Sequence, residues 1–183
     1  MRRARKAMWV APAITMWLFT SGCSTATDKK PGSAASNLTV HDQAAATRQA
    51  VLAGYAGMWT DLEKDALTSN WQNPTIVHHA TGKALLELDE SLAADNHRGL
   101  VGKGHAVLHP MVVDMTPAQN PTSASIADCA DFRNFLKYVA STGAPEYNTP
   151  GAMHFVQATL LNKNGSWKVS ELAIGSAGSC SNP

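Results

Sequence analysis

Asp128 and His154 are the two residues of this sequence best equipped for proton transfer. An aspartate and a histidine placed together in an apolar cavity can divide the work of general acid and general base. Tyr55 and Trp59, one helical turn apart, are the aromatic side chains expected to line such a cavity, which would admit a small apolar ligand. A plainer account of the same residues stands beside this one. Tyr55 and Trp59 at helical spacing are what a core requires, Asp128 beside Cys129 can hydrogen-bond backbone, and His154 opens a strand.

Other chemical motifs are absent or incomplete. Gly102-Lys-Gly-His-Ala-Val has the first two glycines of a dinucleotide fingerprint, but Val107 replaces the third and strands follow instead of a helix. There is no Gly-x-Ser-x-Gly elbow and no His-Glu-x-x-His, and Val77 stands where a Walker loop ending at Gly82-Lys83 needs glycine. His78 and His79 are adjacent, which points them to different helical faces. His105 and His109 on one strand would stand roughly 13 Å apart, too far to share a metal. No cofactor and no metal are expected.

The chain has 183 residues, 44% hydrophobic and 16% charged, which suits one soluble domain plus an additional segment. That segment is at the start. Arg2, Arg3, Arg5 and Lys6 precede the uncharged, mostly apolar run 7–19, and small residues follow from Thr20, the order of a secretory signal peptide. The run is short of the roughly 20 apolar residues that span a bilayer, and it contains Pro12; an uncleaved anchor is the alternative, because the charge-free stretch extends to Thr27. Thr20-Ser-Gly-Cys23 resembles the lipobox of bacterial lipoproteins, with Thr20 where that motif usually has leucine. The resemblance implies that Cys23 carries lipid and that the protein is held at the outer face of the cell membrane. Cleavage after Ala26 would instead release a secreted protein. Residues 1–22 are thus read as a signal peptide, 23–37 as a small, polar, flexible tether, and 38–183 as the domain. Removing the signal leaves 11 basic against 14 acidic residues, a net of −3 with the basic side chains scattered, which argues against a nucleic-acid partner.

Cys129 and Cys180 remain, an even pair in an exported chain, and are read as one disulfide, with two free thiols the alternative.

Elements that would position these residues follow from periodicity. Val51, Leu52, Tyr55, Met58, Trp59 and Leu62 form the apolar stripe of a helix from about His41 to Leu67. Gly54 and Gly57 within it suit close packing against a sheet. Asn73-Pro74 predicts a short helix through His79, with Asn73 as cap. A further helix follows Thr81 and Gly82 and ends at Gly99, with Leu85, Leu86, Leu88 and Leu92 on its core face and Glu87, Asp89, Glu90 and Asp95 in solvent. The period then becomes two. Long antiparallel strands are predicted at Val107 to Met115 and Ala124 to Phe132, a short one at Phe135 to Val139, and a hairpin of His154 to Leu161 and Trp167 to Ile174 about Asn164-Gly165. Helices first and an antiparallel meander afterwards make the class α+β.

This order is similar to the nuclear-transport-factor-2-like cone, in which N-terminal helices pack on a curved antiparallel sheet. Gly57-Met-Trp-Thr-Asp, Trp71-Gln-Asn-Pro, His79-Ala-Thr-Gly-Lys-Ala-Leu, Ala127-Asp-Cys, Leu136-Lys-Tyr, Gly165-Ser-Trp-Lys-Val and Gly178-Ser-Cys180 resemble a group of actinobacterial lipoproteins and secreted proteins of unassigned function. The resemblance implies that Cys129 pairs with Cys180, and it implies no activity. The expected role is a non-catalytic binding or envelope-assembly module. Its partners would be the membrane, through the lipid, and a protein or second copy on the open sheet face. The alternative is a pocket enzyme of isomerase, cyclase or dehydratase type using Asp128 and His154.

Overall fold

Val51, Tyr55, Met58, Trp59, Leu62 and Ala66 turn to one side of helix α1 (Val40–Ala66) and are buried there, as the stripe requires. The computed structural model describes residues 40–148 and 150–181. The expected signal peptide, Cys23 and the tether lie outside them. Gly54 allows the sheet to touch α1, since a Cβ there would lie 2.5 Å from the carbonyl oxygen of Trp167. Gly57 serves a different neighbour: a Cβ there would run into the His79 ring at 2.6 Å.

A 3-10 turn at Thr75–His78 follows α1, then α2 at Gly82–His97. Asn73 is not the cap of that turn; Pro74 occupies the position. The side chain of Asn70 instead bonds both the N–H and the carbonyl of Asn73, closing a loop before the proline. Helix α2 buries Ala84, Leu88 and Leu92, and Gly99, at φ 66°, leaves it as foreseen. Two residues depart from their expected faces: Leu86 is exposed, and Asp95 is buried and accepts from Lys137 Nζ at 2.7 Å.

The strands form two antiparallel sheets. One pairs β1 (Leu100–Gly104) with β4 (Phe135–Val139). The other contains β2 (Met111–Thr116), β3 (Ser123–Asp131), β5 (Met153–Lys163) and β6 (Ser166–Ile174), in the order β2-β3-β5-β6. Register shifts in the β2–β3 and β5–β6 ladders bend this sheet. Its inner face presents Val112, Ala124, Ile126, Ala130, Val156, Ala158, Leu160, Trp167 and Val169 to the core with the helices. The segment His79 to Thr81 bonds to β6 through Thr81 N–H to the Val169 carbonyl and Val169 N–H to the His79 carbonyl, both 2.8 Å, which shields that edge. The architecture is α+β, helices packed on a curved antiparallel sheet.

Two strand boundaries differ from the periodicity. The strand foreseen from Val107 begins at Met111, and Val107 makes only an isolated pair of bonds with Asp131. His109 gives its N–H to the Asp128 carboxylate, and Pro110 has none to give, so no ladder can run through them. Strand β1 was not foreseen, because Gly102 and Gly104 weaken its pattern. Close packing explains Gly102, where a Cβ would lie 2.8 Å from that of Ala66.

Candidate functional site

Strand β3 and helix α1 bring Tyr55 and Asp128 together at the centre of the core. Asp128 points inward with Ile126 and Ala130 and is 2% exposed. Its carboxylate accepts from the Tyr55 hydroxyl at 2.9 Å through Oδ2 and from the His109 N–H at 2.7 Å through Oδ1. Two donors on a buried carboxylate are what its removal from water requires. Burial, then the neighbouring Asp128 charge and hydrogen bond, raises the Tyr55 pKa far above its ordinary value, so the phenol stays a neutral donor. The Trp59 indole N–H lies near that hydroxyl and opposes the rise. It reaches no hydrogen-bond geometry, however, and remains a buried donor without a partner among the described residues.

From Trp59 the cluster continues by ring contact. Trp59 meets Tyr55 edge-on at 6.3 Å between centroids and Phe132 at 5.1 Å, and Phe132 meets His154 edge-on at 5.3 Å. His154 is half-buried near the start of β5, with its Nδ1 2.8 Å from the Gly175 carbonyl. It pairs in register with Ala130, and Asp128 pairs with Val156, so Asp128 and His154 sit diagonally on one face of the sheet. That diagonal corresponds to roughly 7 to 8 Å between backbones. The four candidate residues therefore belong to one packed cluster. Asp128 has its bonds to Tyr55 and His109, His154 its own to the tail, and they do not bond each other.

Among the clefts of the described surface are four that bear on the candidates, and of the four candidate residues Trp59 alone lines one of these. That cleft, of about 250 Å³, lies among α1, α2, β1 and β4, with Leu62, Leu88, Leu92, Phe132 and Phe135 around it and the Asp95–Lys137 pair in its wall. A wider groove of about 650 Å³ runs beneath the first turns of α1. Another, of about 370 Å³, crosses the sheet by Ser125, Gln157 and Thr159. Outward-facing Met111 and Phe155, and Val113 at the bulge, are 65%, 39% and 63% exposed, so the open face carries apolar side chains among small polar ones.

Sequence reading missed the acidic side chains of α1. Asp61 receives the His79 ring at 2.7 Å, and His78 lies 4.0 Å from the same oxygen, so the two histidines converge where adjacency on a helix would have separated them. The reason is local: His79 sits at the end of a 3-10 turn, not within a helix. Asp65 accepts from the Thr75 hydroxyl and the Ile76 N–H, and Glu63 from His105 and the Ala106 N–H. His105 and His109 lie on irregular chain, not on a strand. No group of three histidine, cysteine or acidic side chains suited to a metal occurs among the described residues.

Cys129 and Cys180 are joined, with Cα atoms 5.9 Å apart. The joined tail also bonds to β5 through Gly175 N–H to the Phe155 carbonyl, Gly178 N–H to the Met153 carbonyl and the Ser179 hydroxyl accepting from Phe155 N–H.

No protein-family model matches the chain, and no curated protein matches it. Two solved structures similar to it are the intermembrane space region of the chloroplast protein ARC6 and a protein of unknown function with a cystatin-like fold from Nostoc punctiforme. The first is 15% identical, with a TM-score of 0.43 over 73% of this chain and 97% of that one. The second is 13% identical, with a TM-score of 0.40 over 78% and 96%. Likeness of this degree assigns neither activity nor ligand.

Arg133 holds Asp131 differently from the way Asp128 is held. Hydrogen bonds from the Arg133 side chain, then from its backbone N–H, lower the Asp131 pKa from 3.8 to about 2. A depressed carboxylate stabilises the fold fully above its unfolded value and loses that contribution as pH falls through the folded one. Wild type and Arg133→Gln should therefore differ in Tm by a constant amount above about pH 5, and the difference should shrink between about pH 5 and pH 2. Thermal melts across that range check this, and a difference that persists unchanged at pH 2 would refute it.

Proposed function

We propose that the protein is a non-catalytic binding or envelope-assembly module of the extracytoplasmic space, anchored by lipid on Cys23. The observation that supports a non-catalytic role is the state of the acid–base pair. Asp128 is enclosed with both oxygens engaged, His154 is held by the tail carbonyl, and neither lines any of the four clefts described above. A general base needs its proton donor within about 3 Å, or through one water. The Cys129–Cys180 disulfide supports an oxidising compartment, where such bonds persist. On this reading partners engage from outside the core, through the lipid and through the exposed sheet face bearing Met111, Val113 and Phe155.

One set of variants tests both halves. Cys23→Ala should move the protein from the membrane fraction to the medium or leave the precursor uncleaved; an unmodified wild-type N-terminus at Thr27 would refute the anchor. Asp128→Asn keeps an oxygen for His109 and an amide for the Tyr55 hydroxyl, and His154→Gln keeps a donor for Gly175, so both should fold and remain anchored. If instead either abolished turnover of a small molecule by the wild type with Tm unchanged, the enzyme reading would replace this one.

A further inference from the structure

The groove of about 650 Å³ is walled on one side by a stretch of α1 that buries no side chain. In α1 every described side chain from His41 to Ala50 is exposed or half-exposed, and burial begins at Val51. Along this stretch the Arg48 side chain donates to the Val112 carbonyl of β2 at 3.1 Å, so the helix runs beside the sheet without burying side chains on it. Ala44, Ala46, Thr47 and Ala50 of this stretch line the groove, with side chains too short to fill it. The opposite wall is the β2–β3 turn, secured by Thr122 N–H to the Thr116 carbonyl at 3.0 Å and Asn162 N–H to the Thr122 carbonyl at 2.8 Å.

The polar groups of this lining share one chemistry. Gln43, Gln119, Asn120 and Asn162 bring carboxamides, Thr47 and Thr122 bring hydroxyls, and no lining residue is charged. Among the described residues the carboxamides of Gln43, Gln119 and Asn120 have no hydrogen bond, and that of Asn162 uses only its oxygen, for the Gly165 N–H. A carboxamide donates and accepts at once, which matches a hydroxyl, itself donor and acceptor. A phosphate or carboxylate would find no cation there. An extended peptide would call for a strand edge or a row of apolar pockets. The volume of about 650 Å³ falls within the range of small-molecule sites.

We infer that this groove binds a neutral, hydroxyl-rich ligand, of the class of an uncharged glycan. The inference rests on the reading of the protein as a binding module and supplies its ligand class. The full exported chain, titrated with chitotriose and maltotriose and followed by backbone amide NMR, should show saturable shifts at Ala46, Ala50, Gln119 and Trp167 with at least one of them. Gln43→Ala and Gln119→Ala should each weaken that binding roughly fivefold, the worth of one hydrogen bond. Ala46→Trp, on the exposed helix, should abolish it without changing Tm. The inference is overturned if neither trisaccharide binds, if Ala46→Trp leaves binding intact, if an uncharged peptide takes the groove in place of the sugars, or if sedimentation shows a second copy seated in it. These failures leave the anchored, non-catalytic reading standing, because that is decided by the Cys23, Asp128 and His154 variants.

Discussion

Trp59→Ala should destabilise the domain by about 3 to 5 kcal/mol, the range for removing a buried large aromatic, and lower Tm by roughly 10 °C or more. The side chain is 2% exposed and carries ring contacts to both Tyr55 and Phe132. Alanine would forfeit its transfer energy and open a void joined to the neighbouring cleft of about 250 Å³. Trp59→Phe separates packing from polarity. It keeps a ring between Tyr55 and Phe132 and removes the indole N–H that is buried without a partner, so it should cost less than half as much. Denaturant melts decide the matter. An unchanged midpoint for Trp59→Ala would show that the residue is not core, and equal losses for both variants would show that the indole N–H is engaged.

Breaking the Cys129–Cys180 disulfide should lower stability by at most about 4 kcal/mol, the chain-entropy value for its closed loop, whose ends are 51 residues apart. The effect should be local as well as global. Without the covalent link, the tail is left with the bonds of Gly175, Gly178 and Ser179 to the start of β5, which three loop residues must hold against their own chain entropy. Hydrogen exchange at Phe155, Gly175 and Gly178 should therefore accelerate more than at Val156 or Val169 in the core. A reduced protein with unchanged Tm would remove the energetic claim, and peptide mapping that recovers two free thiols from exported protein would remove the pairing.

Both results depend on how far one sequence discloses its fold. Regular elements were legible where pattern and burial agree. The α1 stripe through Tyr55, Trp59 and Leu62 and the hairpin around Asn164-Gly165 form where local periodicity predicts, because each element places a single apolar face against one core. Where backbone groups are satisfied by distant side chains, periodicity misled. The run from Val107 to Met111 alternates like a strand, yet His109 gives its N–H to Asp128, 19 residues away in the sequence. The glycine-poor signal of a strand was missing from β1 because Gly102 is there for Ala66, a contact that no local pattern reveals.

The candidate site divides along the same line. Residue type and spacing by themselves determined that Tyr55 and Trp59 share a helical face, that Asp128 lies on a half-buried strand, and that Cys129 and Cys180 are an even pair available to each other. Only the tertiary structure decided that the Tyr55 hydroxyl meets Asp128, that His154 turns to Gly175, and that a groove of about 650 Å³ lies beside Ala44, Ala46 and Ala50. Helical and strand periods report which way a side chain points relative to its own backbone. What it meets there depends on the length and approach of another element, such as an α1 whose residues 41–50 lie beside the sheet without burying against it, and that is set by packing across the whole core.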